Sequence, residues 1–139
     1  MTPEELRERA RLFARNIVLL CRGLPNEWVV RTLGGQLLRA GTAVAANYRA
    51  ACRGRSPKEF CAKIGLVAEE SDESVLWLDL LLVGHPGVKG KLYDGLVREA
   101  DELAAIFSAS YGTARANLEA RNRKNKQKRR GGTDPGPGT

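Results

Sequence analysis

Four times along this chain, apolar residues recur every three or four positions, and each run is bounded by residues that start and stop helices. The first run is Leu6, Ala10, Phe13, Ile17, Leu20 and Leu24. Thr2-Pro3-Glu4-Glu5 precedes it, with a capping hydroxyl, a proline at the first helical position and a glutamate able to reach back to the cap. Gly23 and Pro25 end it. A second helix is expected from near Asn26, with Leu33, Leu37, Ala40, Val44, Tyr48 and Ala51 on one face and a stop at Gly54. Ser56-Pro57-Lys58-Glu59 then repeats the opening signal. Phe60, Ile64, Val67, Ser71, Ser74, Leu78 and Leu81 follow it at helical spacing. After a sharp turn at Gly84-His85-Pro86-Gly87, Leu92, Leu96, Leu103, Ile106 and Phe107 mark a fourth helix, expected to fray after Leu118.

Four amphipathic helices on short connections bury their stripes by packing against their chain neighbours. The expected fold is therefore all-α, an antiparallel up-down-up-down four-helix bundle over residues 1–118. No segment sustains the two-residue alternation of a strand. With 139 residues, the chain is long enough for one core without disulfide or metal staples. Residues 119–139 carry almost nothing apolar and are expected to form a disordered basic tail.

Several function classes are disfavoured at once. Cys21, Cys52 and Cys61 lie in no CxxC or Cys/His spacing, and the only histidine, His85, sits in a turn, so no metal site is expected. No Ser-His-Asp set, inward glutamate pair or glycine-rich phosphate loop is present, so neither catalytic residues nor a cofactor are expected, and the chain reads as a non-enzyme. No apolar run reaches the roughly eighteen residues of a membrane span. The N-terminus lacks the apolar centre of a secretory signal, so the expected compartment is the cytoplasm, with no membrane partner.

Charge is what remains, and it is uneven. The formal net charge is +7. Residues 121–139 hold seven bases (Arg121, Arg123, Lys124, Lys126, Lys128, Arg129 and Arg130) against one acid, Asp134, so +6 belongs to the tail and +1 to the rest. On the second helix, Arg31, Arg39, Arg49 and Arg53 fall opposite the apolar stripe, interspersed with Gly35, Thr42 and Ala46. Arg55 and Lys58 continue the basic character into the following turn. Such a ladder is either a solvated face or a surface on which small residues admit a partner's backbone while arginines grip phosphates or carboxylates.

The third helix carries the opposite pattern. Glu69, Glu70, Asp72 and Glu73 point away from its stripe, with Leu66, Leu76, Trp77 and Leu80 on the same outer side. From Val75 to Val83 only Asp79 interrupts an apolar circumference, and a helix apolar all round must be covered all round. A second copy of the chain is one cover. Loops or the end of the fourth helix folding over Trp77 are another. On the first reading, Leu66, Glu69, Glu73, Leu76, Trp77 and Leu80 form a subunit interface, and Arg49 or Arg53 meets Glu69 or Glu73 across it.

The stretch LGGQLLRAGTAVAANYRAACRGRSPKEFCAKIGLVAEESDESVLWLDLLL resembles the bacterial four helix bundle protein family. That family includes proteins encoded in intervening sequences of large-subunit ribosomal RNA genes, and the accessory variability determinants of diversity-generating retroelements are related to it. The most specific wording is AxxVAANYRAACRxRSxxEF followed by the Leu/Trp-rich third helix. Many relatives read ANIAEG where this chain has 46-ANYRAAC-52, which sets Arg49 in a normally acidic segment. The resemblance covers roughly residues 5–118. It implies a four-helix bundle assembled into a homopentameric barrel, with a basic surface able to hold nucleic acid and a reverse transcriptase. Two functions are therefore open. One is a nucleic-acid-binding accessory factor that holds RNA or DNA backbones; the other is a protein-interaction scaffold, for example for a reverse transcriptase, without direct nucleic-acid binding.

Overall fold

The computed structural model describes residues 1–131 and is all-α, with no strand among them. Helix α1 spans Pro3–Arg22, α2 Trp28–Cys52, α3 Pro57–Gly84 and α4 Lys91–Gly131, with a single 3-10 turn at Pro86–Val88. Each helix packs on its chain neighbours, and α4 returns to α1 to close the bundle through its thinnest seam. The fold is the expected antiparallel four-helix bundle.

Local chemistry sets the helix starts. Thr2 accepts a hydrogen bond from the Glu5 backbone N–H while Glu5 accepts from that of Thr2, both at 3.1 Å. Ser56 likewise accepts from Glu59 N–H, but the Glu59 carboxylate reaches one residue further back, to the Arg55 N–H at 2.7 Å. The second helix starts at Trp28 rather than near Asn26. Glu27 is its cap, its carboxylate accepting from the N–H groups of Val29 and Val30.

The expected stripe of α1 is buried from Leu6 to Leu20. In α2 the burial falls on Val30, Gly34, Leu37, Ala40, Gly41, Val44, Tyr48 and Ala51, leaving Leu33 half-buried. In α3 Cys61 is buried where Phe60 was expected, and in α4 Tyr93 replaces Leu92. The Tyr93 hydroxyl accounts for the last change, since it donates to the Leu78 carbonyl of α3 at 2.7 Å. Tyr48 and Phe107 meet across the core, ring centroids 5.1 Å apart. Ser71 and Ser74, buried on α3, satisfy their hydroxyls by donating to the carbonyls of Val67 and Glu70 one turn back.

Two glycines separate close packing from empty space. A Cβ on Gly41 would lie 2.9 Å from Cγ1 of Ile17, so this glycine brings α2 against α1. The Gly34-Gly35 pair divides: a Cβ on Gly34 would meet Leu24 at 2.7 Å, while one on Gly35 would meet nothing within 4 Å.

The main departure lies in α4. The helix does not end at Leu118 but runs on to Gly131, so residues 119–131, expected to be disordered, are helical and exposed throughout. No glycine or proline lies between Gly112 and Gly131, and Glu, Ala, Arg, Lys and Gln favour the helix without any core to pack on. Arg115 and Glu119 add an i,i+4 ion pair at 3.7 Å. The remainder of the expected tail, 132–139, lies outside the described residues.

Candidate functional site: the basic end of the bundle

Antiparallel packing brings four segments to one end: the start of α1, the end of α2, the α2–α3 turn and the far end of α4. Phe60 sits beside Ala109, Thr113 and Asn117, and Tyr111 lies against Gly65, so α4 passes the start of α3 before projecting. This end collects Arg7 and Arg11 of α1, Arg49 and Arg53 of α2, and Arg55 and Lys58 of the turn. Beyond them extend Arg121, Arg123, Lys124, Lys126, Lys128, Arg129 and Arg130 of α4, all exposed.

Between α1 and α2 the arginines line a groove of about 620 Å³, formed by Arg7, Arg11, Arg49 and Arg53 over Thr42, Ala45 and Ala46. Glu8 is the one acid in its wall, and its carboxylate is taken by Arg11 at 2.8 Å, which holds it below the usual range. Arg49, Arg53, Arg55 and Lys58 make no ion pair among the described residues. Glu59, the nearest acid in the turn, is committed to the backbone.

The arginine ladder of α2 does not act as one surface. Arg31 donates to the Asn26 side chain at 2.5 Å, at the opposite end of the bundle. Arg39 leans over α3, bonded to Glu70 at 3.1 Å and Glu73 at 3.0 Å. Burial, then the neighbouring Glu73, pushes the Glu70 carboxyl up despite the Arg39 charge. At about 100° per residue Arg31 and Arg49 share one azimuth while Arg39 is turned about 80° from both towards α3, so neighbouring helices capture different members. The acid–arginine pairing is thus made within one chain, by Arg39 with Glu70 and Glu73. Glu69 stays exposed.

Arg7 and Arg11 escaped the sequence reading, which followed apolar stripes on α1 and not its charges. Their i,i+4 spacing was the available signal.

The expected interface residues divide as well. Leu66 and Leu76 are 41% and 49% exposed, on an outer stripe of α3 shared with Glu69, Asp72, Asp79 and Val83. Trp77 and Leu80 are half-buried within the single chain, Trp77 packing against the core with Nε1 enclosed and no hydrogen-bond partner among the described residues. Glu73, bound to Arg39, is half-buried too. Beside Leu76, α3 and α4 bound a groove of about 820 Å³, with Val75, Leu78, Leu82 and Val97 in its walls and Asp72, Asp79, Asp94 and Asp101 among its polar residues.

Among the described residues, no group of three or more His, Cys, Asp or Glu side chains could hold a metal ion, and no helix is long and apolar enough to cross a membrane. Burial pushes the Cys21 thiol up to about 11, Cys61 is buried, and Cys52 is exposed.

Fold and surface together define a small all-α bundle protein with its chemistry concentrated in exposed charge at one end. The chain belongs to the 23S rRNA-intervening sequence protein family, whose profile matches residues 4–109. Among solved structures it is similar to a protein with unknown function from the S23 ribosomal protein family of Bacteroides thetaiotaomicron VPI-5482. That likeness has 26% identity and a TM-score of 0.70, covering 81% of this chain and 99% of that one. Comparison with curated proteins returns no match. The family match stops before the basic projection of α4.

Proposed function

We propose that this protein is a non-enzymatic, homo-oligomeric accessory factor that binds nucleic-acid backbones through the basic end of its bundle. The observation that carries the reading is the convergence of Arg7, Arg49, Arg53, Arg55 and Lys58 with the cationic projection of α4. Each cation placed on a phosphate releases condensed counterions, so affinity from such a surface is large at low salt and largely independent of sequence. Assembly into a ring of five, as the family resemblance implies, would multiply these weak contacts. The exposed Leu66, Leu76 and Val83 of α3 are the surface such assembly would cover. Arg39 and Arg31 contribute least, since their guanidinium groups are already engaged.

The test is affinity for a generic duplex across a salt series. Binding at about 50 mM salt that falls steeply by 200 mM supports the reading. Removing residues 121–139 weakens it strongly, the double variant Arg49→Ala/Arg53→Ala less so, and Arg39→Ala hardly at all. If the intact chain does not bind at the lowest salt, a second reading takes its place: a protein-interaction scaffold, with a reverse transcriptase as one partner. The groove between α3 and α4, apolar with four aspartates against Lys89 and Arg98, favours that alternative and would suit an amphipathic helix.

A further inference from the structure

The projecting end of α4 has more order in its charges than backbone attraction requires. At about 100° per residue, Arg121, Lys124 and Lys128 fall within about 60° of one another on one flank of the helix, and Arg123, Lys126 and Arg130 within about 60° on another. The two flanks lie about 160° apart, and Asn122, Asn125 and Arg129 occupy the face between them, centred about 100° from each. Ala120 and Gln127 fall on the reverse face. All of these residues are exposed, and the segment carries no acid after Glu119.

A helix meant to lie along a single phosphate strand needs cations on one side only. Cations on two opposed flanks match a helix seated between two phosphate strands, as in a groove. The face between them, two asparagines and Arg129, then meets the groove floor, and its side chains are those that read bases there: asparagine pairs with adenine N6 and N7, arginine with guanine O6 and N7. The dimensions agree. A helix is about 10–12 Å across with its side chains, the major groove of B-DNA is about 12 Å wide, and residues 121–131 span roughly 16 Å, or about five base pairs. The major groove of A-form RNA is too narrow for side chains to read. Arg53, Arg55 and Lys58, at the base of the projection, are placed for phosphates flanking the groove, contacts that position without specifying.

We infer that the α4 projection is a recognition helix for the major groove of duplex DNA, with Asn122, Asn125 and Arg129 towards the bases. This rests on the nucleic-acid reading above and goes beyond it by naming the duplex, the groove and the side chains.

The experiment uses the full chain with a 30-base-pair DNA duplex of mixed sequence and an RNA duplex of the same sequence. Dimethyl sulfate methylates guanine N7 in the major groove and adenine N3 in the minor groove. The expected result is protection of N7 but not N3 and tighter binding to DNA than to RNA. A duplex selected for tight binding from a random pool should then lose about tenfold in affinity with Asn122→Ala/Asn125→Ala. The exchange Asn125→Lys/Lys126→Asn, which keeps composition and charge but puts a lysine on the central face, should lose as much. Circular dichroism checks that the bundle persists in both variants. Binding that is equal on RNA and DNA, that protects N3, or that is indifferent to both variants overturns the recognition helix while leaving backbone binding in place. No binding to either duplex at low salt removes both.

Discussion

At the scale of single residues, the two kinds of glycine in α2 make opposed expectations from one substitution. Gly35→Ala adds a methyl group to open space and removes backbone freedom from the unfolded chain, so it should stabilise by about 0.5–1 kcal/mol. Gly41→Ala gains the same propensity but drives its methyl group into Ile17, a β-branched side chain that is fully buried and has no room to turn. Overpacking of this kind costs about 1–3 kcal/mol, so the net effect should be a loss. Urea unfolding of both variants beside the parent decides it, and equal midpoints for the two would mean that α1 and α2 are not in the contact described. Adjacent glycines read alike in a sequence. What separates Gly34 from Gly35 is where Leu24 lies, and that depends on the turn between the helices.

At the scale of elements, most of the bundle was legible because each helix carries its own stripe and its own cap. Thr2 with Glu5 forms both hydrogen bonds its spacing implies, and Ser56 with Glu59 forms the first of them. The end of α4 departs from the sequence expectation for an identifiable reason: loss of the apolar stripe is not loss of the helix. A stripe reports what a helix packs on, whereas continuation depends on propensity and on the absence of a breaker, and the first pair of glycines after Leu118 is Gly131-Gly132. The sequence was also silent on which arginine of α2 each neighbour would claim, because that requires knowing which helix flanks which side. The thin α1–α4 seam illustrates the same limit. Arg9 bridges it to Glu99 and Glu102, half-buried, and neither partner could be singled out from spacing 90 residues away. Arg9→Ala should destabilise the protein by about 1–2 kcal/mol, because it strips a charge-assisted pair from a partly shielded site. Arg11→Ala, which removes a fully solvated pair within α1, should leave stability almost unchanged. Thermal melts of the two variants give the comparison, and a larger loss for Arg11→Ala would contradict the seam as described.

At the scale of the whole molecule, the separation of charge has a kinetic consequence. The excess of cations lies at one end, where α4 projects, while the acids of α3 and of the first half of α4 (Glu69, Asp72, Asp79, Asp94 and Asp101 among them) lie along the sides and towards the other, where Arg22, Arg31, Lys89 and Lys91 only partly offset them. The bundle is therefore an electric dipole with its positive pole tipped by the α4 projection. Near a polyanion it experiences a torque as well as an attraction, and it is turned projection-first before any side chain touches. Orientation is ordinarily the slow part of an encounter between two specific surfaces. Arg49→Glu/Arg53→Glu, which weakens the pole without touching α4, should therefore slow association with a DNA duplex several-fold at low salt, while the phosphate contacts it removes speed dissociation. Stopped-flow mixing at two salt concentrations measures both. An unchanged association rate would show that the projection finds its target unaided, without the rest of the molecule acting as its compass needle.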